Sequence, residues 1–211
     1  KSKSQISKLM SLSEKLSELN FERFQKFQLP FTLKNAKQAI LAFKGDVYNG
    51  INAPDLSNED LEFAQGKLRM LSGLYGVIRP LDLIQPYRLE MGTKLSNEKG
   101  SDLYKYWGSD ISNVLNDDES DLIVNLASNE YFKAIDKDTL NANILDIVFK
   151  EKKGDAYKVI GIHAKRARGL MVNYMIRNRL ENPEELKDFS DEGYRFDKDQ
   201  SSEASWVFLR G

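Results

Sequence analysis

The sequence predicts an α+β fold built as a single mixed domain. Three observations carry that expectation. Stretches with apolar residues at helical spacing alternate irregularly with short apolar runs of strand length, not in a regular βαβ rhythm. The 211 residues contain no internal repeat, low-complexity tract or long linker. Hydrophobic residues make up 41% and charged residues 30% of the chain, the balance of a soluble globular protein that can bury a core without staples.

The elements follow in order. Ile6, Leu9, Leu12, Leu16 and Leu19 recur at helical spacing, which predicts a helix over 5–26 with Pro30 beyond its end. Residues 39–43 (AILAF) read as a buried strand running into a turn at Gly45. Ser57, with Asp60 three residues on, starts a helix whose apolar face is Leu61, Ala64, Leu68 and Leu71. That helix stops at 72–76, and Pro80 suits the first position of a second helical turn through Ile84. Residues 87–91 alternate like a strand, and 102–115 read as a helix carrying Tyr104, Tyr106 and Trp107. A short buried strand is expected at 122–126, then a brief helix from Ser128 to Ile135. Residues 144–151 and 156–163 flank a turn at 152–155 and predict a hairpin. A strong helix spans 164–180, Pro183 opens a short acidic helix, and 193–197 and 205–209 are terminal strands.

Composition removes several chemistries. With no cysteine there is no disulfide, iron–sulfur cluster, thiolate zinc site or cysteine nucleophile. No apolar run approaches the ~20 residues that span a bilayer, and no signal peptide is visible, so a cytoplasmic protein without a membrane partner is expected. The first residue is Lys1, inside a polar helical run, so the chain is read as lacking its natural N-terminus. Net charge is −1 but unevenly spread. Residues 1–45 carry nine Lys/Arg against three Glu, 161–180 carry five and no acid, and 181–203 carry nine Asp/Glu against three Lys/Arg. Separated basic segments on a neutral chain can form one positive face, or sit on solvated helix faces.

Residues 68–92, LRMLSGLYGVIRPLDLIQPYRLEMG, are the most informative run. A Gly-x-x-Gly turn from Gly73 to Gly76 follows an apolar helical segment, with Lys67, Arg69, Arg79 and Arg88 around it. Glycines expose backbone N–H groups, and helix starts aim more of them outward, which suits a phosphate oxygen. Residues 68–84 therefore resemble a helix-hairpin-helix element, with the glycine spacing stretched by one residue; the alternative is a helix-ending glycine and a packed turn. Lys165, Arg166 and Arg168 open a helix where cations oppose the macrodipole, which points to an anionic partner or to acids elsewhere in the chain. Lys44-Gly45-Asp46 follows an apolar run, and Ser128 and Glu130 sit at the end of another, where ligands bind in α/β sheets. His163 is the only histidine, so no catalytic triad and no metal-ligand spacing can be assigned. No Walker motif or dinucleotide fingerprint occurs. No catalytic residue, metal or cofactor is expected.

KGDVYNG (44–50), LRMLSGLYGVIRPLDLIQPYRLEMGT (68–93), LYKYWG (103–108), NLASNEYF (125–132) and AKRARGLM (164–171) together resemble the bacterial YaaA peroxide-stress family, in order and over essentially the whole chain. Family proteins usually begin with a strand and a Ser-Pro-Ala-Lys segment, within roughly forty residues that this chain does not include. The resemblance implies a cytosolic protein induced in oxidative stress and linked to limiting free intracellular iron and DNA damage. It also implies a mixed α/β fold with a helix-hairpin-helix element and a basic cleft that binds double-stranded DNA. By motif, the hairpin maps to residues 71–76, including Gly73 and Gly76. The cleft maps to Lys44, Arg69, Arg79, Arg88, Lys165, Arg166 and Arg168. A monomer gripping phosphates without reading sequence is the leading expectation. The alternative is an enzyme acting on a nucleotide or phosphorylated small molecule, with Asp46, Ser128 and Glu130 lining its pocket.

Overall fold

A computed structural model describes residues 1–211. The chain is α+β. It opens with helices α1 (Lys3–Met10) and α2 (Glu14–Gln25) in place of the single helix expected over 5–26. Ser11 adopts the left-handed conformation (φ 51°) and Ser13 caps α2 by accepting from the Leu16 N–H at 3.4 Å. Serine side chains compete for backbone groups inside a helix and satisfy them at its ends, so the polar Ser11–Ser13 stretch breaks the run.

Strand β1 (Lys37–Gln38) leads into α3 (Ala39–Ala42). The apolar AILAF run is thus a helical turn and not a strand, an ambiguity that periodicity cannot resolve for so short a run. Helix α4 (Asp46–Ile51) follows. Helix α5 (Asn58–Lys67) begins as predicted, with a reciprocal Ser57–Asp60 capping box in which each side chain accepts the other's backbone N–H at 3.1 Å. It stops earlier than its leucine spacing suggests: Leu68 is already extended (φ −86°, ψ 135°). Residues 68–84 contain three strands, β2 (Met70–Ser72), β3 (Gly76–Ile78) and β4 (Leu83–Ile84). The helix-hairpin-helix expectation for this segment is therefore corrected to a β-hairpin. Residues 87–91 are irregular, not a strand.

Two helices, α6 (Leu103–Trp107) and α7 (Asp110–Asn116), replace the one expected over 102–115. Gly108 divides them at φ 50°, ψ −121°, a conformation that favours glycine. Strand β5 (Leu122–Asn125), helix α8 (Asn129–Phe132) and the hairpin of β6 (Asn143–Lys153) with β7 (Ala156–Lys158) follow the sequence reading. Helix α9 (Gly161–Arg177) takes in His163, which the hairpin had been expected to hold. Strands β8 (Arg195–Ser202) and β9 (Ser205–Arg210) close the chain.

These elements fall into two compact units, each assembled from separate stretches of sequence. The first combines Lys1–Ala42, Arg69–Asp118 and Asn129–Leu140. In it β1 pairs antiparallel with β4, and β2 with β3. The second combines Phe43–Leu68, Glu119–Ser128 and Asn141–Gly211. Its sheet has the order β5-β6-β9-β8, with β5 and β9 parallel to β6, β8 antiparallel to β9, and β7 turned back on β6. Alternate β6 residues Leu145, Ile147 and Phe149 are buried with Ala164, Ala167 and Met171 of α9, so α9 lies on the sheet through that apolar face. No helix is long and apolar enough to cross a membrane.

Candidate functional site

In the first unit, the glycine turn joins β2 to β3. Ser72 pairs with Gly76 across the hairpin, and Gly76 sits at φ 73°, the left-handed position that closes a three-residue hairpin loop. Both Gly73 and Gly76 are buried. A Cβ on Gly73 would stand 2.5 Å from the Leu89 carbonyl oxygen, and one on Gly76 would stand 2.8 Å from the Trp107 ring. The loop's donors are used internally: the Leu74 and Tyr75 N–H groups donate to Ser72 Oγ at 3.2 and 2.9 Å. Trp107 Nε1 donates to the Gly73 carbonyl at 3.2 Å. The expectation that Gly73 and Gly76 present N–H groups to a phosphate is overturned; the glycines are there because backbone and an indole ring pass too close for a side chain.

The cations of this unit are also engaged. Arg69 forms a largely buried ion pair with Asp118, and Arg79 reaches the same Asp118 oxygen at 3.5 Å. Arg88 pairs with Glu90 at 2.9 Å. Glu130 accepts the Gly92 N–H at 2.8 Å through Oε1, and its carbonyl accepts from Tyr104 OH at 2.9 Å. Burial, reinforced by the charges of Glu130 and Glu90, pushes the neighbouring Tyr131 phenol up to about 12. Glu130 thus ties the 92 loop and α6 to the start of α8, a structural use of a residue the sequence offered for a pocket.

The second unit holds the remaining candidates. Its main contact is α4 against α9, backbone to backbone. A Cβ on Gly169 would stand 1.9 Å from the Val47 carbonyl oxygen, and one on Gly50 would stand 2.5 Å from that of Arg166. Further along, Asn173 Nδ2 donates to the Ile51 carbonyl at 2.6 Å, and an Arg177 guanidinium N–H donates to that of Asp55 at 3.0 Å. Positions 47, 51 and 55 therefore track 169, 173 and 177, four residues at a time and in the same direction. Lys165 shares the Gly169–Asn173 stripe of α9.

Ion pairing sorts the basic run on α9. Arg166 Nε donates to Glu192 Oε1 at 2.6 Å, and Arg179, just past the helix, pairs with Asp60 at 3.2 Å. Arg168 has no acidic or carbonyl partner, yet it is half-buried, and burial pushes its guanidinium down from its ordinary value. Lys44 and Lys165 are exposed and make no ion pair. Lys44, Lys165 and Arg168 are thus the three predicted cations left with uncommitted charge. Asp46 is exposed at the start of α4, and Ser128 is half-buried where β5 ends. Asn125, on that strand, donates to Asp146 at 2.7 Å and accepts the Ala127 N–H at 3.0 Å.

One cluster was not anticipated from the sequence. Glu151 accepts from Tyr194 OH at 2.7 Å, from Arg210 at 2.5 Å and from His163 Nδ1 at 2.7 Å. Arg210 also pairs with Glu192 at 3.2 Å. The residues come from β6, α9, the turn before β8, and β9, so no local pattern links them.

Compared with known proteins, the chain matches the family described as "Peroxide stress protein YaaA" over residues 1–200. It is 59% identical over 207 residues to a UPF0246 protein of Acaryochloris marina (strain MBIC 11017), an alignment covering 97% of this chain and 82% of that protein.

Proposed function

We infer that this chain, which belongs to the YaaA family of peroxide stress proteins, binds double-stranded DNA without reading its sequence, by setting cations against backbone phosphates. The observation that supports this reading is the uncommitted charge of Lys44, Lys165 and Arg168 within one unit, while Arg69, Arg79, Arg88 and Arg166 are all spent on acids. Phosphate contacts of this kind position a protein on a duplex and carry no base specificity. The buried glycine hairpin has no part in it. In the cell such binding belongs in the cytoplasm during peroxide exposure, and it carries the link to limited free iron and less DNA damage.

The test is a salt titration of duplex binding. Each phosphate contact removed should lower the slope of log K against log[salt] by roughly 0.9. Replacing Lys44, Lys165 and Arg168 together by alanine should weaken binding to all sequences alike and flatten the slope by two to three contacts' worth. Arg79→Ala, whose partner is Asp118, should change it far less. A folded triple variant with wild-type affinity and slope would overturn the assignment.

A further inference from the structure

We propose that the loop at residues 28–35 of the first unit is an apolar wedge that enters the base stack of duplex DNA where stacking is weak, at a gap or a flexible step. This rests on the duplex binding proposed above and adds a second kind of contact, made to bases and not to phosphates.

Leu29 and Leu33 are 74% and 75% exposed, more than any other large apolar side chain of the protein. Single exposed leucines are ordinary, but these two stand on a loop that is held in shape from both sides. Gln85 is 4% exposed and spends its whole amide there: its Oε1 accepts the Gln28 N–H at 3.1 Å and its Nε2 donates to the Gln28 carbonyl at 2.8 Å. Asn35 closes the other side, its Oδ1 accepting the Thr32 N–H at 2.8 Å and its Nδ2 donating to the Pro30 carbonyl at 3.1 Å. Phe31 packs edge-on against Phe27 and Tyr75, with ring centres 5.6 and 6.1 Å apart. A buried amide committed to the backbone of a surface loop fixes its shape before any partner arrives, which lowers the cost of inserting it into a narrow gap.

The surroundings of the loop are basic. Residues 23–42 hold Arg23, Lys26, Lys34 and Lys37 and no acid. Lys34 lies in the loop, and the β1–β4 pairing sets Lys37 opposite Ile84, the neighbour of Gln85. Lys34 and Lys37 are exposed and form no ion pair, and Lys26 reaches Glu22 only at 3.8 Å. Apolar side chains flanked by cations suit a polyanion with an apolar interior, which a base stack between two phosphate chains is. The amount of apolar surface selects among partners. Two leucines carry roughly eight side-chain carbons, fewer than the single myristoyl chain that anchors a protein only marginally to a membrane. Nor do they approach the ~800 Å² per partner of a stable interface between two proteins. One or two side chains are, however, the whole of a DNA wedge, a role that leucine and proline both fill, and Pro30 is exposed beside Leu29. Insertion is least costly at flexible pyrimidine–purine steps, and an interrupted strand lowers the cost of unstacking further.

The test measures binding to a duplex, intact or with a one-nucleotide gap, that carries 2-aminopurine beside the gap position and end labels for energy transfer. The gapped duplex should bind about tenfold more tightly, its 2-aminopurine should brighten as stacking is lost, and its ends should move together. Leu29→Ser combined with Leu33→Ser should abolish the preference and both signals. Affinity for the intact duplex and the melting temperature should stay at wild-type values, since neither leucine is buried. Leu29→Met combined with Leu33→Met should keep the preference. Equal binding of gapped and intact duplex by the wild type, with no change in fluorescence, would overturn the wedge and leave backbone binding standing. So would a preference that survives in the serine variant. If the serine variant instead loses binding to phosphatidylserine vesicles, or loses a dimer seen in sedimentation, with gapped DNA bound as before, the loop belongs to a lipid surface or to a second copy and the wedge is overturned. Failure to bind any duplex would sink the wedge and the DNA reading together.

Discussion

Glu151 gathers three donors onto one carboxylate that is only 12% exposed. Burial alone would push its carboxyl up, but hydrogen bonds from Tyr194 and His163 and the charge of Arg210 together outweigh that and hold it below the usual range. A depressed folded-state value means the ionised carboxylate stabilises the fold above the unfolded value, near 4.3, and that this contribution is lost as pH falls through the lower folded value. Glu151→Gln should therefore cost about 2 kcal/mol at pH 7, the scale of hydrogen bonds to a charged group. The gap between variant and wild type in urea melts should close as pH is lowered below about 4. A gap that stays constant from pH 7 to pH 3 would show that the charge of Glu151 is not what stabilises the cluster. The same network explains why the candidate cations could be found in the sequence while their fates could not. Arg166 and Arg168 stand two residues apart with the same chemistry, and Glu192, 26 residues away, is what spends one of them.

At the scale of elements, the α4–α9 crossing depends on two glycines. Gly169→Ala would put a methyl 1.9 Å from the Val47 carbonyl oxygen and force α4 away from α9. The strain of such overpacking should exceed what alanine returns in helix propensity, leaving a net loss of about 2 kcal/mol and a melting point about 6 °C lower. Gly66→Ala in α5, where a Cβ meets nothing within 4 Å, should instead stabilise by roughly 1 kcal/mol. If both alanines behave alike in thermal melts, the close approach is not what Gly169 is for. Local signals were legible in the sequence: the Ser57–Asp60 box, the β6–β7 hairpin, β5, β9 and the body of α9 all lie where patterning puts them. The misreadings came where two local signals competed. Leu68 and Leu71 continue the apolar spacing of α5, but Gly76 in a left-handed conformation with Val77 and Ile78 behind it forms a strand pair. The same residues that suggested an exposed phosphate loop are held inward by Leu89 and Trp107, contacts across the chain that no local pattern encodes.

At the scale of the whole molecule, the chain passes between its two units five times, so neither unit is a continuous segment. Residues 141–211 hold β6, β7, α9, β8 and β9, most of the sheet of the second unit and the helix on it. They lack 43–68, which supplies α4 and α5. Cut out alone, this fragment would expose the stripe around Gly169 and leave Asn173 and Arg177 without the Ile51 and Asp55 carbonyls. It would also open the β6 edge that β5 covers in the intact protein. An edge with unpaired backbone groups invites association with other chains, and a fragment of this size has little core in reserve. Expressed by itself, 141–211 should show no cooperative thermal transition by circular dichroism and should aggregate at micromolar concentration. Adding a peptide of residues 43–68 in trans should raise its helical signal by more than the sum of the two parts. A sharp melt for the fragment alone would show that α9 and the sheet fold independently. The α4–α9 register would then be a later docking event and not built into the core of the second unit.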